Sequence, residues 1–169
     1  MTFEELQALL RDNGVVGAGG AGFPSYGKLD KRADTIILNC AECEPLLELH
    51  KQLLEKRPYE ILSALDLVAK TVGAKDVYVA TKAAYTKTIA AVEANLGSFS
   101  NIKIHKLPEI YPAGDEVVTI YEVTGRVVAP GALPISVGVT VFNVETMYNL
   151  YLALQGTPVI RKYVTICGE

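Results

Sequence analysis

Short apolar runs alternate with longer segments of helical spacing along almost the whole chain, and this alternation restricts the fold more than any other feature. Thr35–Asn39, Val77–Ala80, Ile102–Leu107 and Val139–Phe142 read as strands. A further strand is expected at Tyr163–Ile166. Between them lie helical segments: Leu46–Glu55, a run from Pro58 with Ile61, Leu62, Leu65, Val68 and Ala69 on one face, Ala83–Leu96, Asp115–Val123 and Val144–Leu154. Gly73 and Gly97 supply two stops. At the N-terminus, Thr2 followed by Glu5 fits a capping box ahead of a Leu6, Leu9, Leu10 stripe, and Gly14 ends that helix. Strands alternating with helices predict an α/β fold: three layers, α/β/α, around a mostly parallel sheet covered on both faces.

The 169 residues suit one domain, and 50% apolar with 21% charged residues is globular rather than disordered composition. The net charge of −3, with Lys and Arg scattered, gives no nucleic-acid footprint. Membrane insertion is not expected, because no apolar run approaches the roughly 18 residues that span a bilayer. The start, Met1-Thr2-Phe3-Glu4-Glu5, is acidic and amphipathic, unlike a signal or transit peptide. Three cysteines, Cys40, Cys43 and Cys167, are an odd and sparse set that points to a reducing, cytoplasmic setting. Cys40 and Cys43 form C-x-x-C without the second pair that a metal site needs, so no metal is expected. The chain stops just after its last expected strand, at Cys167-Gly168-Glu169, which raises the expectation that it is the N-terminal part of a longer protein.

Four polar clusters fall at the ends of the expected strands or helices. The first is Gly17-Ala18-Gly19-Gly20-Ala21-Gly22-Phe23-Pro24, followed by Lys28. Glycines let backbone N–H groups approach an anion, and a helix start beyond them adds favourable partial charge. Gly17, Gly19 and Gly22 match G-x-G-x-x-G, with Glu42 at the distance of a dinucleotide fingerprint, but a helix rather than a strand precedes the first glycine. The second cluster is Asn39-Cys40-Ala41-Glu42-Cys43-Glu44-Pro45. The third is Tyr111-Pro112-Ala113-Gly114-Asp115-Glu116, and the fourth Asn143-Val144-Glu145-Thr146. Ligands of open α/β sheets bind at such strand ends. A solvated acidic turn, an N-capping Asp115 and an N-capping Asn143 are the plain structural alternatives. His50 and His105, the only histidines, have no nucleophile or metal set beside them in sequence, so no catalytic residue is expected.

These clusters, in this order, resemble the RnfC family, the C-type component of the Rnf complex. More distantly, they resemble the flavin- and NADH-binding subunit of respiratory complex I. Their details, with Leu133–Val139, also resemble the cobalamin reductases of propanediol-utilising microcompartments and the electron-transfer protein of clostridial proline reductase. The resemblance covers nearly the whole chain and implies an FMN domain that oxidises NADH and passes electrons to an iron–sulfur or corrinoid partner. It implies Gly17, Gly19, Gly20 and Lys28 at the flavin phosphate, and Asn39, Glu42, Tyr111, Gly114, Asp115, Asn143 and Thr146 around the ribityl chain and ring. Phe23, Glu44 and Glu116 match positions facing NADH. A setting peripheral to a membrane complex or inside a microcompartment is consistent with it. Relatives carry iron–sulfur motifs and a β-grasp domain in downstream modules that this sequence lacks. The complex I pattern has an Asp at Ala41, a basic residue at Ala18 and an Asn at Phe142. Two other classes fit the residues: a docking domain that has lost its flavin, and a flavin-free nicotinamide reductase.

Overall fold

Ile36, Ile37 and Leu38 are wholly buried, and they sit in the central part of strand β1 (Thr35–Cys40). Side chains alternate across a strand, so Ile36 and Leu38 face one core while Ile37 faces the other. A strand with apolar side chains on both faces is stable only between two layers. The computed structural model describes residues 1–44, 46–166 and 168. Among these, β1, β2 (Asp76–Lys82), β3 (Ile102–Leu107) and β4 (Val139–Asn143) form one parallel sheet ordered β3-β2-β1-β4. The fold is α/β, as the alternation implies.

The connections follow from handedness. Helices α2 (Leu49–Lys56) and α3 (Pro58–Val72) link β1 to β2, and α4 (Thr86–Glu93) links β2 to β3. They pack on one face with α1 (Phe3–Asp12) and α6 (Val144–Leu154). The chain then returns through α5 (Glu116–Thr124) to β4, on the far side of β1. Reversing direction with a right-handed crossover puts the helix on the opposite face. Accordingly, Ile120 of α5 packs on Ile37, Ala80 and Val141 in the second core.

Local chemistry sets the boundaries. Thr2 and Glu5 close a capping box on α1, with Glu5 N donating to Thr2 Oγ1 at 3.1 Å and Thr2 N to Glu5 Oε2 at 2.7 Å. Gly73 ends α3 in the left-handed region at φ 83°. Helix α2 starts at Leu49, later than the spacing predicts, because Leu46 has φ 67° and cannot continue a right-handed helix. Helix α4 is shorter than expected at both ends. Ala84 N donates to Glu109 Oε1 (2.9 Å) in a turn that precedes it, and a 3-10 turn at Leu96–Ser98 follows it.

The expected strand at Tyr163–Ile166 is not formed. Tyr163 N donates to the Glu145 carboxylate at 3.2 Å instead of to a neighbouring strand. Val164 and Ile166 are 68% and 91% exposed, so their apolar character does not mark a buried strand. Pro45 and Cys167 lie outside the described residues. No helix among the described residues is long and apolar enough to cross a membrane.

Candidate functional site

The sheet order makes a switch point between β1 and β4, where successive connections leave in opposite directions. Such points open a crevice at the C-terminal ends of the strands. A cleft of about 490 Å³ lies there. Asn39 and Asn143 are register partners at the ends of these two strands, and both line it.

The glycine loop forms one wall. Val16 and Pro24 make an isolated antiparallel bridge, and Gly17 N donates to Phe23 O at 2.7 Å, so residues 18–22 project as a closed loop. No parallel strand leads into Gly17, so the dinucleotide fingerprint lacks its structural context. Gly20 at φ 122° and Gly22 at φ 63° hold backbone that L side chains rarely adopt. Ala18 is anchored at both ends: its N–H donates to Thr146 Oγ1 (3.0 Å) and its carbonyl accepts from Lys162 Nζ (2.9 Å). Beyond that anchor, the amides of Gly19, Gly20, Ala21 and Gly22 have no partner among the described residues. Ser25, at the start of the following 3-10 turn, lines the cleft with a hydroxyl that is buried and unpartnered. An orphaned buried hydroxyl costs free energy unless a ligand or water completes it.

Three helices begin at the cleft, each capped by a residue of the sequence clusters. Asp115 Oδ1 accepts from Val117 N (2.9 Å) and Val118 N (3.1 Å) at α5. Asn143 Oδ1 accepts from Glu145 N (2.8 Å) at α6. Glu42, only 6% exposed, reaches from the end of β1 to the first turn of α2, accepting from His50 N at 2.9 Å and Lys51 N at 3.4 Å. The partial positive charges of these helix starts offset carboxylates that would otherwise repel an anionic ligand. Lys28 Nζ donates to Glu116 Oε1 (3.0 Å) and to Val141 O (2.9 Å), so the loop's lysine and one of the expected NADH-facing acids are joined. Glu44 is exposed, and its carboxylate has no hydrogen-bond partner among the described residues.

Gly114 ties two clusters together. Asn39 Nδ2 donates to its carbonyl (2.8 Å), and its N–H donates to Cys43 Sγ (3.1 Å). Asn39 Oδ1 in turn accepts from Ala41 N at 2.9 Å. The cysteines of the C-x-x-C therefore have separate environments. Cys43 receives an amide N–H beside the cleft, while Cys40 is fully buried and its thiol is pushed far up by desolvation and by Glu42.

The cleft brings together Gly17, Gly19, Lys28, Asn39 and Glu42 with Gly114, Asp115, Asn143 and Thr146. Phe23, Glu44 and Glu116 line it too. Gly20 and Tyr111 do not; Tyr111 is 75% exposed. Sequence reasoning missed Ser25 and His50. His50, with its side chain 16% exposed, faces the cleft from α2. Its contact there, Asn143, is 93 residues away along the chain, beyond the reach of local spacing.

A parallel sheet with a crevice at its switch point, a loop of unpartnered amides and three helix starts defines an α/β domain that binds an anionic, planar ligand. The volume lies within the range of cofactor sites, and the amides, the Ser25 hydroxyl and the two carboxamides fit the phosphate and heteroatom edge of a flavin nucleotide. The chain belongs to the complex I 51K family, whose Nuo51 FMN-binding domain model matches residues 10–152. It is 41% identical to cobalamin reductase PduS of Salmonella typhimurium, over 99% of this chain and 37% of that protein. It is 33% identical to the C-type component of the Na(+)-translocating ferredoxin:NAD(+) oxidoreductase complex of Acetobacterium woodii, over 100% of this chain and 39% of that one. The chain thus spans well under half the length of these relatives, both oxidoreductases or parts of one. An NAD+-reducing [NiFe]-hydrogenase crystal structure shares the fold with TM-score 0.78 at 23% identity, covering 90% of this chain and 31% of that one.

Proposed function

We propose that this domain binds FMN in the cleft, takes hydride from NADH onto it, and relays electrons to an iron–sulfur or corrinoid centre on another module or subunit. The observation that carries this reading is the run of unpartnered amides at Gly19–Gly22 beside the buried, unpartnered Ser25 hydroxyl. When bound, FMN supplies a ring that accepts a hydride pair and gives electrons up singly.

The chain's own residues bind and orient. The glycine-loop amides receive the phosphate, and Ser25 donates to it or to the ribityl chain. Asn39 and Asn143 fix the sheet-end wall against which the ring packs. Phe23, 42% exposed, offers an apolar surface to the dinucleotide, and Glu44 accepts a ribose hydroxyl. Hydride transfer between cofactors needs no protein acid or base at the reacting atoms, which suits a cleft whose acids serve as helix caps, an ion-pair partner and a ribose acceptor. The name of the Acetobacterium relative, part of a ferredoxin:NAD(+) oxidoreductase, supports a nicotinamide partner.

A docking domain without flavin is the rival reading. Its support is that Asn39 uses both ends of its carboxamide internally and Lys28 is tied to Glu116. FMN titration followed by flavin fluorescence separates the two: saturable quenching supports the flavin reading, and none supports the rival. Glu44→Ala is expected to raise KM for NADH about tenfold, the loss of one hydrogen bond to a charged group, while leaving FMN affinity within about twofold. Steady-state kinetics beside the titration checks this; equal losses in both contradict the ribose role.

A further inference from the structure

Asn143 is oriented by what it caps. Glu145 N is a donor, so the atom 2.8 Å from it is Oδ1, and Nδ2 faces the other way. Nδ2 lies 2.8 Å from His50 Nε2 and 3.4 Å from His50 Nδ1; the shorter contact is the hydrogen bond. An amide nitrogen only donates, so Nε2 must be the acceptor. The ring is then neutral with its proton on Nδ1, on the side of Glu42 Oε1 at 3.9 Å. A methyl group at Gly19 would stand 3.3 Å from Asn143 Nδ2, so this nitrogen also borders the glycine loop. It carries two hydrogens, and His50 takes one.

We propose that His50 is a positioning residue of the cleft: in its neutral form it holds the Asn143 carboxamide so that the second N–H of Nδ2 serves a ligand seated on the glycine loop. Protonated His50 presents N–H to N–H and releases that contact, because Asn143 cannot flip without losing the cap on α6. Glu42 and the fully buried Glu145 favour the imidazolium, and Lys162, paired with Glu145, opposes it. Lys51 adjoins His50 on its own helix. Burial is the largest influence and keeps the ring below its ordinary value of 6.5. The unfolded chain therefore takes the proton first as pH falls. His50 contributes stability above about pH 6.5 that is lost as pH drops through the folded value.

The affinity half of this proposal rests on the flavin reading; the contact itself does not. Nitrogen-15 NMR of the ligand-free protein tests the contact: a bare Nε2, and Asn143 amide signals that move with the His50 titration, are expected. An Nε2–H tautomer, or Asn143 signals indifferent to that titration, overturns it. For affinity, His50→Leu is expected to weaken FMN binding about tenfold near pH 7.5, one hydrogen bond's worth. His50→Gln keeps an acceptor and is expected within about threefold of wild type. FMN's own phosphate titrates in the same range, so wild type is read against His50→Gln, and its Kd is expected to rise more steeply below about pH 6.5. Unchanged affinity in His50→Leu, or parallel pH profiles for wild type and His50→Gln, overturns the positioning role. Failure of the wild type to bind FMN overturns the flavin reading and the affinity half with it, and the NMR result then decides the contact alone.

Discussion

Gly114→Ala is expected to lower Tm by about 10 °C, equivalent to roughly 3 kcal/mol in a chain of this size, and to remove detectable FMN binding. A Cβ at Gly114 would stand 1.9 Å from the Ala41 carbonyl oxygen and 2.9 Å from Cys43 Sγ. Backbone cannot yield as a flexible side-chain tip does, so the loop before α5 must separate from the end of β1. Separation breaks the Asn39–Gly114 and Gly114–Cys43 hydrogen bonds that join two walls of the cleft. Gly97→Ala is the control. Its Cβ meets nothing within 4 Å, and its change is expected to stay within about 0.5 kcal/mol. Thermal unfolding of both variants checks the pair; equal, small shifts contradict the close approach.

Gly19→Trp is expected to do the opposite: leave Tm within a few degrees of wild type and weaken FMN binding at least about a hundredfold, or about 2.7 kcal/mol. Gly19 is exposed, its φ lies outside the left-handed region, and its nearest neighbour is the Asn143 side chain at 3.3 Å. The loop carries an indole without unfolding the sheet, but the ring occupies the space in front of the unpartnered amides. Calorimetric titration with FMN checks it, and retained binding contradicts the assignment of this loop to the phosphate.

Local periodicity located β1 to β4 to within two residues because a buried strand needs a short apolar run, and each of those runs is bounded by polar residues or glycine. It also located Asp115 and Asn143 as caps, since capping depends on the next two or three residues. The same reasoning failed at Tyr163–Ile166, whose apolar residues do not face a core, and at Leu46, whose left-handed backbone no spacing rule reveals. Strand order was not legible, because parallel neighbours are fixed by crossovers rather than by any run of residues. For the same reason the pairing of Lys28 with Glu116, 88 residues apart, and of His50 with Asn143 emerges only when β4 lies against β1. Glu42 read as an acid beside a ligand. In the fold its carboxylate lines the cleft and also caps α2.

The central claim is that the cleft between β1 and β4 holds FMN in a state that NADH reduces. An anaerobic visible absorption spectrum tests it most directly, with FMN titrated into the purified protein and NADH then added. The expected result is a saturable shift of the flavin bands followed by their bleaching at stoichiometric NADH. Unshifted bands at saturating FMN, in this chain and in any longer form of the protein, would contradict the claim.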